Sequence, residues 1–352
     1  MKYLKNILAL TSFIFGALAL PASLGEEKPA AVSKDFIRTL ARHAVYADAA
    51  YCSQLKGKVC SAEYRSKDMS YLAKDHLEWL DELEVVFHFK NRWSDLYAYI
   101  GFSKKYKEVV IGFKGTSFTS IRSIWTNTKM DLVKYGFPKQ KNTSRKNYMV
   151  HDGYFGAFSD LAMKTFAKLE TVVKTRIQGN GYKLVIVGHS QGGAIASIGA
   201  MEMQKAYQLS IPAISTLRAK IPSSRIYLHT FAQPRVGNKD FASLVYNVFG
   251  VNRLARVTNH WDPVPGIPSL GASYFHHPNE IYIAPKGQIQ RCNDVINGRV
   301  VEDLRCSASA RVKALYYCYE PGKDFNCPDT LATQFEEHKL SEYIKFLSAA
   351  AR

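Results

Sequence analysis

Alternating strand and helix patterns predict an α/β fold, a mostly parallel sheet covered by helices on both faces. Three observations carry this. Residues 183–187 end in Leu184-Val185-Ile186-Val187, the short apolar, β-branched run of a strand buried on both faces. Amphipathic helical patterns flank it at 158–177 and 194–209. Further strand-like runs recur at 225–231, 254–257 and 281–283.

The remaining elements follow in order. Residues 1–19 read as a signal peptide: Lys2 and Lys5 give a positive start, an apolar run follows, and Ala17-Leu18-Ala19 fits a cleavage site. The run is short for a transmembrane helix, and no later stretch is longer. A secreted, extracellular protein without a membrane span is therefore expected. Residues 20–33 read as a flexible leader and 34–50 as a helix. Strands are expected at 84–89, 96–102 and 109–113, the last two joined by a lysine-rich turn into an antiparallel hairpin. A terminal helix is expected at 336–347. The chain has 352 residues, 47% hydrophobic, enough for one core, so 34–352 is expected to be a single domain. Charged residues make up 22%, which argues against a largely disordered chain.

The six cysteines are Cys52, Cys60, Cys292, Cys306, Cys318 and Cys327, an even number behind an export signal, which predicts disulfides. Cys52 with Cys60, and the other four among themselves, is the expected grouping. Four of the six fall in or beside a cysteine-bearing insertion near 286–330. Neither C-x-x-C nor His-Glu-x-x-His spacing occurs, so no metal and no other cofactor is expected. Asn142-Thr143-Ser144 is a glycosylation sequon. The formal net charge is +17. Its basic clusters, Lys104, Lys105 and Lys107, and Lys134, Lys139, Lys141, Arg145 and Lys146, suit a solvated surface or attraction to anionic lipid. No nucleic-acid motif accompanies them. A monomer is expected.

The strongest chemical signal is Gly188-His189-Ser190-Gln191-Gly192, a G-x-S-x-G sequence between the 183–187 strand and a helix rich in small residues. That is the strand–turn–helix of a nucleophile elbow, the mark of the α/β-hydrolase fold, with Ser190 as nucleophile. A serine hydroxyl needs a base, and the base an orienting acid, in the chain order Ser, Asp or Glu, His. Asp262 fits the acid, just after a strand and stiffened by Pro263 and Pro265. Chemistry alone leaves His276, His277 and His338 open as the base. The backbone N–H of Gln191 is the expected oxyanion donor. Phe118, Ile121, Ile124 and Trp125 put apolar groups at helical spacing and suit either a lid or a surface helix.

These segments, with Phe113-Lys114-Gly115-Thr116, Val150-His151-Asp152-Gly153-Tyr154 and Phe231-Ala232-Gln233-Pro234-Arg235-Val236-Gly237, resemble the fungal class 3 lipases. That family comprises filamentous-fungal triacylglycerol lipases and feruloyl esterases. The resemblance covers nearly all of the chain after its leader. It implies Asp262 as acid, His338 as base and Thr116 as second oxyanion donor. It also implies a lid and a lipid ester substrate at a lipid–water interface. This sequence departs from the family in a longer lid segment, in Lys114 where well-known members carry arginine, and in the Cys292 to Cys327 insertion. No cysteine follows Cys327, so the family's tie to the C-terminus loses its last member. The expected function is a secreted triacylglycerol lipase with an acyl-enzyme intermediate. A feruloyl esterase, a phospholipase A1 and a non-catalytic lipid-binding relative are the competing readings.

Overall fold

The structure, a computed structural model, describes residues 30–52, 57–58, 74–90, 96–115, 131–138, 146–260, 262–268, 273–308 and 338–352. The first half of the chain forms β1 (Ala30–Ala31), α1 (Lys34–Ala49), β2 (Gly57–Lys58), α2 (Lys74–Asp81), β3 (Glu84–Lys90), β4 (Tyr97–Ser103), β5 (Glu108–Phe113), β6 (Leu132–Lys134) and β7 (Met149–His151). Next come α3 (Asp152–Arg176), β8 (Lys183–His189), α4 (Gln191–Gln208), α5 (Ser215–Lys220), β9 (Ile226–Phe231), α6 (Lys239–Phe249), β10 (Leu254–Asn259) and β11 (Glu280–Ile283). The chain closes through β12 (Ile289–Arg291), β13 (Val295–Ile296), β14 (Arg299–Val300) and α7 (Leu340–Ala350).

Ten strands form one sheet in the order β1-β12-β11-β10-β9-β8-β5-β4-β3-β2. Parallel pairing runs through the centre, β5–β8–β9–β10–β11. Both flanks are antiparallel, and the expected β4–β5 hairpin pairs Ala98 with Phe113. The molecule therefore has the α/β-hydrolase architecture, with a parallel core and antiparallel margins.

Strand alternation sorts side chains into two cores. Leu184 and Ile186 of β8 and Val109 and Ile111 of β5 join the core that holds Leu161 and Phe166 of α3, Met201 of α4 and Phe241 of α6. Val185, Val187 and Val110 join the opposite core with Leu40 and Val45 of α1 and Tyr343, Ile344 and Leu347 of α7. Each crossover from β5 to β8, β8 to β9 and β9 to β10 carries a helix, as parallel neighbours require. Arg38 Nη2 donates to the Ala351 carbonyl at 3.2 Å, which joins α1 to the end of α7.

Several boundaries differ from expectation. The end of the 20–33 leader is structured: β1 pairs with β12, and Ser33 caps α1 by accepting from the Phe36 N–H at 3.4 Å. α3 starts at Asp152 rather than 158, because the His151 ring caps its first turn by accepting from the Gly153 N–H at 3.1 Å. α6 and α2 add helices to those read from the sequence. α7 begins at Leu340, so His338 lies in the turn before the terminal helix rather than within it. In the cysteine-bearing insertion, Cys292 and Cys306 form a disulfide around the β13–β14 hairpin. Among the described residues, no helix is long and apolar enough to cross a membrane.

Candidate active site

β8 delivers His189 at its C-terminal end, and α4 starts at Gln191, so Ser190 makes the whole turn between them. Its backbone sits at φ 57°, ψ −133°, a strained region for a side-chain-bearing residue. Two bonds hold it there: Ser190 N–H donates to the Phe231 carbonyl at 2.9 Å, and the Ser190 carbonyl accepts from Gly193 N–H at 2.9 Å. The turn requires its glycines. A Cβ on Gly188 would lie 2.2 Å from the Gly192 carbonyl oxygen, and one on Gly192 would lie 2.3 Å from the Phe113 oxygen. The side chain of Ser190 is buried. Gln191, as the first residue of α4, has an N–H that the helix itself leaves without a partner.

Asp262 is buried just beyond β10. Its Oδ1 accepts from the Val264 N–H at 2.9 Å, and its Oδ2 from the Tyr343 hydroxyl at 2.5 Å. Both oxygens lie 3.0 Å from His338 Nδ1. The carboxylate thus fixes the His338 tautomer with its proton on Nδ1. His338 Nε2 is buried without a hydrogen-bond partner among the described residues. An imidazole held this way can accept a proton at Nε2 while the carboxylate stabilises the resulting charge.

The structure separates the three candidate histidines. His276 Nε2 donates to the Pro265 carbonyl at 2.7 Å, and His277 Nε2 lies 3.2 Å from Gln233 Oε1. Burial and nearby Arg256 push His277 down to about 3. His338 is the histidine bonded to Asp262. Thr116 and the segment with Phe118, Ile121, Ile124 and Trp125 lie outside the described residues. Their neighbour Gly115 comes close to the elbow: a Cβ there would stand 2.9 Å from Ser190 Cβ and 2.7 Å from the His189 carbonyl oxygen.

Four residues around the site have contacts that the sequence reading did not assign. Tyr343 is a second side-chain donor to Asp262, from five positions beyond His338. Tyr51 and His189 bond to one another at 2.7 Å beside Ser190. Arg235 grips Glu302 through two bonds of 2.7 and 2.6 Å and donates to the Gly266 and Pro268 carbonyls at 2.6 and 2.8 Å. It thereby ties the insertion to the loop that follows Asp262, using the planar fork that lysine lacks.

Residues 110–271 match the family described as lipase (class 3). The chain is 26% identical to the secreted mono- and diacylglycerol lipase 2 of Gibberella zeae over 219 residues, 57% of this chain and 50% of that protein. It is 26% identical to the lipase of Rhizomucor miehei over 208 residues, 59% of this chain and 50% of that protein. The chain therefore spans about half the length of these curated relatives. Among solved structures, the Rhizomucor miehei triacylglyceride lipase aligns with a TM-score of 0.61 at 20% identity, covering 91% of this chain and 100% of that one. A lipase from Rhizopus microsporus var. chinensis gives 0.61 at 22%, covering 83% and 88%. At these identities the structural likeness is one of fold.

Proposed function

We propose that this chain, whose residues 110–271 match the class 3 lipase family, is a member of that family and a secreted serine esterase that hydrolyses acylglycerols. Ser190 Oγ attacks the ester carbonyl while His338 Nε2 takes its proton, and Asp262 holds the imidazolium formed. The tetrahedral oxyanion is stabilised by the Gln191 N–H and by Thr116, whose neighbour Gly115 runs against Ser190. His338 then protonates the departing alcohol, leaving an acyl group on Ser190. Water activated by His338 releases the acid and restores the serine.

The observation that carries this reading is the Asp262–His338 pair, bonded at 3.0 Å, in a fold that also strains Ser190 at the end of β8. Acylglycerol is the favoured substrate because relatives named as lipases, among them a mono- and diacylglycerol lipase, match over most of this chain. The segment with Phe118, Ile121, Ile124 and Trp125 acts in this proposal as a lid that opens at lipid. Basic clusters draw the protein to anionic surfaces, and residues 1–19 direct export. A panel of emulsified tri-, di- and monoacylglycerols, phosphatidylcholine and methyl ferulate tests the substrate class. Acylglycerols are expected to be cleaved fastest. Turnover of methyl ferulate alone would refute the lipase assignment.

A further inference from the structure

We propose that His189 and Tyr51 are positioning residues, which form one hydrogen-bonded strut joining the oxyanion turn, the nucleophile elbow and the base. This rests on the serine-esterase reading above. The strut runs from Gly115 N–H to Tyr51 Oη at 3.1 Å, from Tyr51 Oη to His189 Nδ1 at 2.7 Å, and from His189 Nε2 to the His338 carbonyl at 2.8 Å. It links segments 64, 138 and 149 residues apart in sequence.

The direction of every bond is forced. A carbonyl only accepts, so His189 Nε2 carries the proton and donates to His338. The Nδ1 of a neutral His189 is then an acceptor, and the Tyr51 hydroxyl must donate to it. That hydroxyl keeps a lone pair for the Gly115 N–H. No group in the series is asked to act twice in one role. Burial, and the nearby His338, hold the His189 pKa well below the usual range, so the ring stays neutral and the series intact.

The three points of attachment are the parts an acyl transfer must keep in register. Gly115 precedes Thr116. His189 precedes Ser190 and packs its ring 4.7 Å from the His338 ring, centroid to centroid. The bond to the His338 carbonyl fixes the backbone from which the base projects. A neutral neighbour at that distance also leaves Asp262 as the counter-charge when His338 becomes an imidazolium. The approach leaves no slack, since a Cβ on Gly115 would stand 2.5 Å from Tyr51 Oη.

The test compares kcat and KM for a dissolved short-chain ester in wild type, Tyr51→Phe, His189→Leu and His189→Gln. Misplacement by an ångström costs up to about 100-fold in rate. His189→Leu is expected to lose about that much in kcat and Tyr51→Phe about 10-fold, with KM changed less than about twofold. His189→Gln keeps a donor where the imidazole Nε2 stood, and should recover most of the loss. Thermal midpoints are measured alongside. Should His189→Leu fail to fold, Tyr51→Phe, which removes a single oxygen, decides. Wild-type kcat in Tyr51→Phe, or His189→Gln no better than a folded His189→Leu, would overturn the strut. Reaction with a serine-directed phosphonate separates the two levels. A wild type inert to the reagent overturns the serine-esterase reading and the strut with it. A wild type that is labelled, with Tyr51→Phe and a folded His189→Leu labelled at the same rate, overturns the strut alone.

Discussion

Two carboxylate–histidine–histidine groups lie buried among the described residues, and one of them adjoins a strained serine. In the first, Asp262 holds His338 at 3.0 Å, and the His338 ring packs against His189. In the second, Glu108 lies 3.3 Å from His43 Nε2, and His43 Nδ1 lies 2.7 Å from His229 Nδ1. The residue types and burial are alike. The partners differ. Arg42 binds both oxygens of Glu108 at 2.9 and 3.3 Å, so that carboxylate is already neutralised by a permanent cation. Asp262 is held instead by neutral donors, Val264 N–H and Tyr343 Oη, and keeps its charge for the histidine. Position differs too. Glu108 opens β5 and His229 lies within β9, under α1, whereas Ser190 and Asp262 follow the C-terminal ends of β8 and β10. A carboxylate–histidine pair is thus no catalyst in itself. In the mechanism proposed above, the strained serine and the open end of the sheet give it a reaction.

Substituting the two carboxylates breaks the comparison most sharply. Asp262→Asn should lower kcat by about 10⁴-fold while the protein stays folded, because the tautomer is lost. Glu108→Gln should leave the kcat of folded protein near wild type but cost about 3 kcal/mol of stability, because Arg42 is left buried without its counter-charge. Ester kinetics and denaturant melts on both variants measure this. Equal losses of activity would erase the distinction drawn here.

Removing the Cys292–Cys306 bridge by a double serine substitution should cost about 3 kcal/mol, the chain-entropy value for a loop of this size. The melt of the oxidised wild type against the variant measures it. Stability should also depend on pH. Burial lowers the pKa of His43, His189 and His229, so the unfolded chain binds protons that the folded state refuses. Their stabilisation is complete above about 6.5, the unfolded value, and is lost as pH falls below it, by up to about 1.4 kcal/mol per unit for each group. Burial opposes ionisation of Glu108, but His43 and Arg42 outweigh it and hold its pKa at about 2. Its contribution is therefore present above the ordinary carboxylate value and is lost between there and about 2. Melting midpoints should fall steadily from pH 7 to pH 5. A flat profile would mean that these rings are solvated in the native protein.

The elbow was legible because all of it is local: an apolar strand, two glycines that a tight turn requires, and a helix of small residues. Asp262 was legible for a similar reason, as a residue stiffened by prolines beyond a strand. The base needed the family resemblance. His276, His277 and His338 are chemically equivalent on paper, and only packing brings His338 to Asp262 across 76 residues. The start of α7 was misplaced because Glu336 to Lys339 has helical composition, whereas the bond from His189 to the His338 carbonyl, together with the Asp262 contact, engages that residue outside the helix. α6 is a different case. Its buried Phe241, Leu244, Val245 and Phe249 fall at helical spacing behind the cap Asn238, a local signal that the sequence itself carries. The contacts of Tyr51, His189 and Tyr343 sent no local signal, since they exist only between distant segments.

The most direct test of the central claim is labelling with a serine-directed phosphonate, followed by peptide mass spectrometry. The account predicts one modified residue, Ser190, with labelling abolished in Ser190→Ala and nearly so in His338→Ala, but retained in His276→Ala and His277→Ala. A phosphonate found on another serine, or ester hydrolysis undiminished in Ser190→Ala, would contradict it.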